Sequence, residues 1–151
     1  MSGVIVGVES TAHTLSLGFV GEDGTLFSSE TALFKPEQGG IHPREAADHH
    51  SIMAPELISR LLSREDFDQE DIVAVSFSQG PGLGPCLRIG ASVARSLSSV
   101  WNAPLIGVNH CVAHIEVGRN QTGCEDPVLL YASGGNTQVI ARAGDRYRVI
   151  G

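Results

Sequence analysis

Lysine is almost absent from this sequence: Lys35 is the only one among ten basic residues, and 17 acidic residues bring the formal net charge to −7. A surface with that balance is not a general glove for nucleic acid. Any polyanionic partner must be met by local arginines or by another subunit. Cysteine is sparse as well. Cys86, Cys111 and Cys124 are odd in number and lack CxxC spacing, so no disulfide framework is indicated and a reducing cytosol is the expected compartment. Long apolar runs are missing too. The opening stretch from Met1 to Glu9 has no basic region, and its apolar run is too short for a signal peptide or a membrane span.

What is present suits a globular protein. A chain of 151 residues can bury a real core. Apolar content of 42% and charged content of 18% favour neither disorder nor a coiled coil. The 18 glycines cluster at loop positions, which implies many tight turns between elements.

Taken in order, Val4 to Val8 reads as a buried strand ended by Glu9-Ser10-Thr11. His13 to Val20 alternates, Gly21-Glu22-Asp23-Gly24 is a turn, and Thr25 to Phe34 gives a third strand of an antiparallel meander. A loop from Lys35 to His42 leads to a helix with Pro43 in its first turn and Ala46, His50, Ala54, Leu57, Ile58 and Leu61 on one face. Pro55 lies inside that span and predicts a kink or two short helices. Ile72 to Phe77 is a strand, Ser78 to Pro85 a loop, Leu87 to Trp101 a helix, and Leu105 to Val108 a strand.

The next stretch, Asn109-His110-Cys111-Val112-Ala113-His114, opens a segment that is helical to about Gly118. Histidines at i and i+4 lie on one helix face, about one turn apart, and two converging imidazoles are half of a divalent-metal site. Chance spacing, or a histidine hydrogen-bonded in a core, is the competing explanation. The pair is not a zincin motif, because Cys111 stands where HExxH places its general base. His42, His49 and His50 form a second cluster. The adjacent His49 and His50 cannot share a helix face, so capping or packing roles are expected there.

The element order to this point is that of one lobe of an α/β actin/hexokinase/Hsp70-like ATPase fold. The pattern then restarts: a shift of 123 positions aligns Ser10 with Ser133, Thr14 with Thr137 and Gly21 with Gly144. Residues 1–127 are accordingly expected to form a first lobe, and 128–151 the truncated start of a second. The turn Ser133-Gly134-Gly135-Asn136-Thr137 reads equally as an anion cradle, with glycine N–H groups turned towards a ligand, and as an ordinary hairpin. The N-terminal counterpart, Glu9 to Thr14, is a poorer anion site because Glu9 repels phosphate. Ser78-Gln79-Gly80-Pro81-Gly82-Leu83-Gly84-Pro85 lacks the Lys-Ser/Thr ending of a P-loop, and its prolines remove N–H donors. A shape-setting role is expected for it, with Arg88 beyond it able to pair with a carboxylate or phosphate.

Five stretches together, "STAHT", "GIHPREAADHH", "SQGPGLGPCLRIG", "NHCVAHIE" and "YASGGNTQV", resemble the tRNA threonylcarbamoyladenosine synthase (TsaD) family, once named O-sialoglycoprotein endopeptidase. The forms "HPREAADHH" and "YASGGNTQ" resemble its archaeal and eukaryotic branch, the catalytic subunit of the KEOPS complex. Members are about twice this long. The resemblance implies transfer of the threonylcarbamoyl group from threonylcarbamoyl-AMP to N6 of adenosine 37, in tRNAs reading codons that begin with A. It implies an iron or zinc ion held by His110, His114 and Tyr131, with an aspartate from the part beyond Gly151. It also implies adenylate contacts from Tyr131, Ala132, Ser133, Gly134 and Gly135, KEOPS-like partner subunits including a small kinase, a cytoplasmic location, and no activity for this stretch alone. A metalloendopeptidase and a non-catalytic nucleotide-binding scaffold are the alternatives.

Overall fold

The computed structural model describes residues 3–63, 71–133, 136–144 and 146–151. The chain divides into two compact units, Met1–Val108 and Asn109–Gly151. This division falls before the histidine-bearing helix, whereas the expected lobe boundary falls after it.

In the first unit, β1 (Val4–Glu9), β2 (Thr14–Gly21) and β3 (Leu26–Leu33) form the expected meander, followed by β4 (Ile72–Gly80) and β5 (Leu105–Asn109). The sheet order is β3-β2-β1-β4-β5, with β1 antiparallel to β2 and parallel to β4. Strict alternation of buried residues in β1 and β2 follows from the period of two along a strand. The register sets Val6 opposite Phe19 and Val8 opposite Leu17, so the buried side chains share one face. Helix α1 (Pro43–Leu62) and helix α2 (Gly84–Trp101) cover that face, with Ala54, Leu57, Leu61, Ala94 and Leu97 in the same core. Trp101 meets the ring of Phe19 edge-on at 6.5 Å.

Helix α1 is continuous through Pro55, not divided in two. The proline removes one donor, yet Ser51 and Pro55 are both exposed, so the carbonyl released four residues back faces water. The expected loop from Ser78 to Pro85 is shorter than anticipated. Strand β4 runs on to Gly80, and α2 starts at Gly84 with Pro85 in its first turn, where no N–H is needed. The remaining bend is tied to the β1–β2 turn. The Leu83 N–H donates to the Thr11 carbonyl at 2.7 Å, and a Cβ on Gly82 would stand 2.5 Å from that same oxygen. The bend thus sets the shape of the turn.

In the second unit, helix α3 (His110–Thr122) precedes a second antiparallel meander of β6 (Leu129–Ser133), β7 (Asn136–Ala143) and β8 (Arg146–Val149). The repeat in the sequence is therefore a repeat of topology, β1-β2-β3 and β6-β7-β8. Cys111 and Ile115 of α3 pack on Ile140, with Leu129, Tyr131 and Tyr147 around them. Among the described residues, no helix is long and apolar enough to cross a membrane.

Candidate metal centre

The site begins with a cap. Asn109 ends β5 in an extended conformation, and its side-chain oxygen accepts the N–H groups of Cys111 at 2.9 Å and Val112 at 3.3 Å. This satisfies two of the donors that a helix start leaves open. Asparagine directly before a helical segment is a readable N-cap signal, and it defines His110 as the first helical residue. The helix runs past Gly118 to Gly123, which takes the left-handed C-cap conformation at φ 69°.

With α3 started there, His110 and His114 converge. Their Nε2 atoms lie 3.1 Å apart and their ring centroids 4.5 Å apart. Tyr131 stands beside both, with its ring centroid 5.9 Å from that of His110 and 5.7 Å from that of His114. It reaches this position because alternation along β6 turns Leu129 and Tyr131 to the face that α3 covers. His110 and Tyr131 are half-buried and His114 is exposed. Two nitrogens each 2.0–2.1 Å from a tetrahedral ion would be roughly 3.3 Å apart, so the imidazole pair fits two corners of a coordination sphere. Imidazole nitrogens with a phenol oxygen suit zinc or iron. Among the described residues, no cluster of three or more His, Cys, Asp or Glu side chains forms around any point.

Cys111 is 4% exposed, and burial raises its thiol pKa. It faces Ile140 rather than the histidines, so it supplies neither a ligand nor a base to the pair. The predicted substrate turn is reached only in part. Ala132 and Ser133 are exposed at the end of β6, with Ala132 opposite Thr137 and Ser133 opposite Asn136, while Gly134 and Gly135 lie outside the described residues. In the N-terminal counterpart, a Glu9 carboxylate oxygen accepts the Thr11 N–H at 2.6 Å and so occupies a donor that an anion would use.

In the second histidine cluster His49 and His50 pack, as expected, whereas the exposed His42 does not cap. His42 occupies the N-cap position of α1 without a side-chain cap bond, and His49 lies against Phe34. His50 is fully buried, and its Nε2–H donates to the Ala12 carbonyl at 3.0 Å. That fixes the tautomer, so His50 Nδ1 accepts from His49 Nδ1–H at 3.3 Å.

Another polar group on α3 escaped the sequence reading. The Tyr147 hydroxyl donates to Glu116 Oε1 at 2.5 Å, and Arg119 Nη1 donates to both Glu116 oxygens, at 3.0 and 3.2 Å, and to the Tyr147 hydroxyl at 3.4 Å. Glu116 and Arg119 are three apart on one helix and legible as a pair. Tyr147 comes from β8, and only the fold brings it there.

The family model described as TsaD, tRNA N6-adenosine threonylcarbamoyltransferase, matches residues 25–151. The chain belongs to this family. A tRNA N6-adenosine threonylcarbamoyltransferase of Archaeoglobus fulgidus is 55% identical over 148 residues, covering 98% of this chain and 45% of that protein. A probable bifunctional tRNA threonylcarbamoyladenosine biosynthesis protein of Methanocaldococcus jannaschii is 51% identical over 148 residues, covering 98% of this chain and 27% of that protein. This TsaD-family chain thus spans less than half the length of these relatives. Among solved structures, YeaZ from Pseudomonas aeruginosa superposes with a TM-score of 0.66 at 16% identity, covering all of this chain and 65% of that one. At that identity the likeness concerns the fold, the actin/hexokinase/Hsp70-like class.

Proposed function

We propose that the protein carrying this chain forms threonylcarbamoyladenosine in tRNA, and that residues 109–151 supply part of a metal centre to it. The observation that carries this reading is the His110–His114 nitrogen pair at 3.1 Å beside Tyr131, in a chain of the TsaD family. The proposed donor is threonylcarbamoyl-AMP and the acceptor is N6 of adenosine 37, in tRNAs reading codons that begin with A. The amine attacks the carbamoyl carbon, the bond from that carbon to the phosphate oxygen breaks, AMP leaves, and the amine releases a proton. The adenine amine is itself the nucleophile, so no side chain needs to form a covalent intermediate. A bound Fe2+ or Zn2+ would polarise the carbonyl and neutralise the leaving phosphate. His110, His114 and Tyr131 would hold the ion, and the turn from Tyr131 to Gly135 would hold the adenylate.

In this reading residues 1–127 form the first lobe and 128–151 begin the second. KEOPS-like subunits, a small kinase among them, assemble with the protein in the cytoplasm and help to hold the tRNA. The bifunctional name of the Methanocaldococcus relative, of which the chain covers 27%, is consistent with a second function joined to this one. The peptidase alternative is disfavoured by the chemistry of Cys111, whose buried thiol with its raised pKa stands where a metallopeptidase needs a general base. The test is His110→Ala in the intact protein, assayed for bound metal and for threonylcarbamoyladenosine in tRNA. Both should be lost together. Full modification without metal would refute the metal-dependent reading, and adenylate binding without transfer in the wild type, with partner subunits supplied, would favour a scaffold.

A further inference from the structure

The histidine pair occupies only one side of α3, and among the described residues of the second unit the buried apolar stripe of that helix is narrow. Its buried stripe within the second unit consists of Cys111 and Ile115, one turn apart. At about 100° per residue, His110 and His114 project roughly 100° to one side of this stripe, and Glu116 and Arg119 roughly 90° to the other. Two anchors on one line make a hinge rather than a clamp. A roll of about 10° carries a side-chain tip, some 6 Å from the helix axis, through about 1 Å. Metal sites tolerate errors of only about 0.2 Å in their ligand distances.

The far side of the stripe is where Tyr147 engages. Tyr131 on β6 and Tyr147 on β8 both reach the face under α3, with Ile140 of β7 between them. Tyr131 stands by the histidines, while the Tyr147 hydroxyl bonds Glu116 at 2.5 Å and Arg119 Nη1 bonds both Glu116 and the Tyr147 oxygen. The two tyrosines therefore bracket the helix from opposite flanks. We infer that Tyr147, Glu116 and Arg119 are positioning residues that fix the roll of α3 and so hold His110 and His114 in register with Tyr131. This inference rests on the metal-centre reading for its consequence, though not for its geometry.

The test is Tyr147→Phe in the intact protein, a change that removes one oxygen and keeps the packing against Ile140. Co2+ alone is the probe, titrated by visible absorption at a temperature where near-ultraviolet circular dichroism shows both proteins folded. Groups that hydrogen-bond a metal ligand directly govern about 10- to 100-fold in metal affinity; Tyr147 acts one step further out, through Glu116 and Arg119, so Tyr147→Phe should weaken Co2+ binding by about the lower figure. Glu116→Gln, which keeps an oxygen for both donors, should retain most of the affinity that Glu116→Ala loses. A role confined to stability would lower the melting temperature and leave the Co2+ titration of the folded protein unchanged, and that result overturns the inference. If His110→Ala leaves Co2+ binding intact, the metal-centre reading falls instead. The inference is then decided by the imidazole proton resonances of His110 and His114: displacement by Tyr147→Phe supports it, and unmoved resonances overturn it.

Discussion

Gly90 in α2 faces Ser10 so closely that a Cβ built there would stand 1.9 Å from Ser10 Oγ and 2.8 Å from Ser10 Cβ. The hydroxyl can swing aside, but the Cβ cannot move without shifting the end of β1. That end is anchored, because the Ser10 N–H donates to Ser78 Oγ at 3.2 Å and the Thr11 carbonyl accepts the Leu83 N–H at 2.7 Å. Gly90→Ala gains about 1 kcal/mol of helix propensity. Overpacking a fitted core costs about 1–3 kcal/mol, and a 2.8 Å approach to the Cβ of an anchored residue puts this site at the upper end, so the net effect is a loss of about 2 kcal/mol. Ser10→Gly removes both clashing atoms, and the double variant should recover much of that loss, with a coupling energy of roughly 0.5–3 kcal/mol. Trp101, the only tryptophan, lies at the end of the same helix against Phe19 and reports the urea transition of this unit by fluorescence. A Gly90→Ala protein as stable as the wild type, or additive effects in the double variant, would refute the reasoning.

Two further outcomes follow from single side chains. Burial lowers the pKa of His50; the bond to the Ala12 carbonyl opposes this, His49 and His13 add to it, and Glu9 opposes it. The unfolded chain takes up this proton near pH 6.5 while the folded one resists. Stability is therefore complete above about pH 6.5 and falls on acidification, with a slope of at most about 1.4 kcal/mol per pH unit. Urea midpoints between pH 5 and 8 should show this slope in the wild type and a shallower one in His50→Gln; parallel curves would contradict it. Asn109→Ala removes the acceptor for Cys111 and Val112 and should cost about 1 kcal/mol, seen as roughly fivefold faster amide exchange at those two residues. Unchanged exchange there would count against the cap as the start of the site.

The strands and helices were readable because their signals are local: alternation in β1 and β2, the one-sided face of α1, and the histidine spacing on α3. Endpoints were less so. Gly118 and Gly123 can each end a helix, and the choice depends on what lies beyond Gly118. There Arg119 reaches Tyr147, a partner 28 positions away that no local pattern reveals. Whether Pro55 divides its helix and where the loop before Pro85 begins were not legible for a related reason, since their outcome turns on whether the freed backbone group meets water and on how far β4 extends.

Composition also averages away a distinction that the fold restores. Six basic and thirteen acidic residues fall within 1–108, against four and four within 109–151. The whole net charge of −7 therefore belongs to the first unit, and the unit holding His110, His114 and Tyr131 is electrically balanced. The argument that an acidic chain repels a polyanion draws on the charges of the first unit alone. The sum over the sequence is thus a poor guide to the charge carried by the unit that holds His110, His114 and Tyr131.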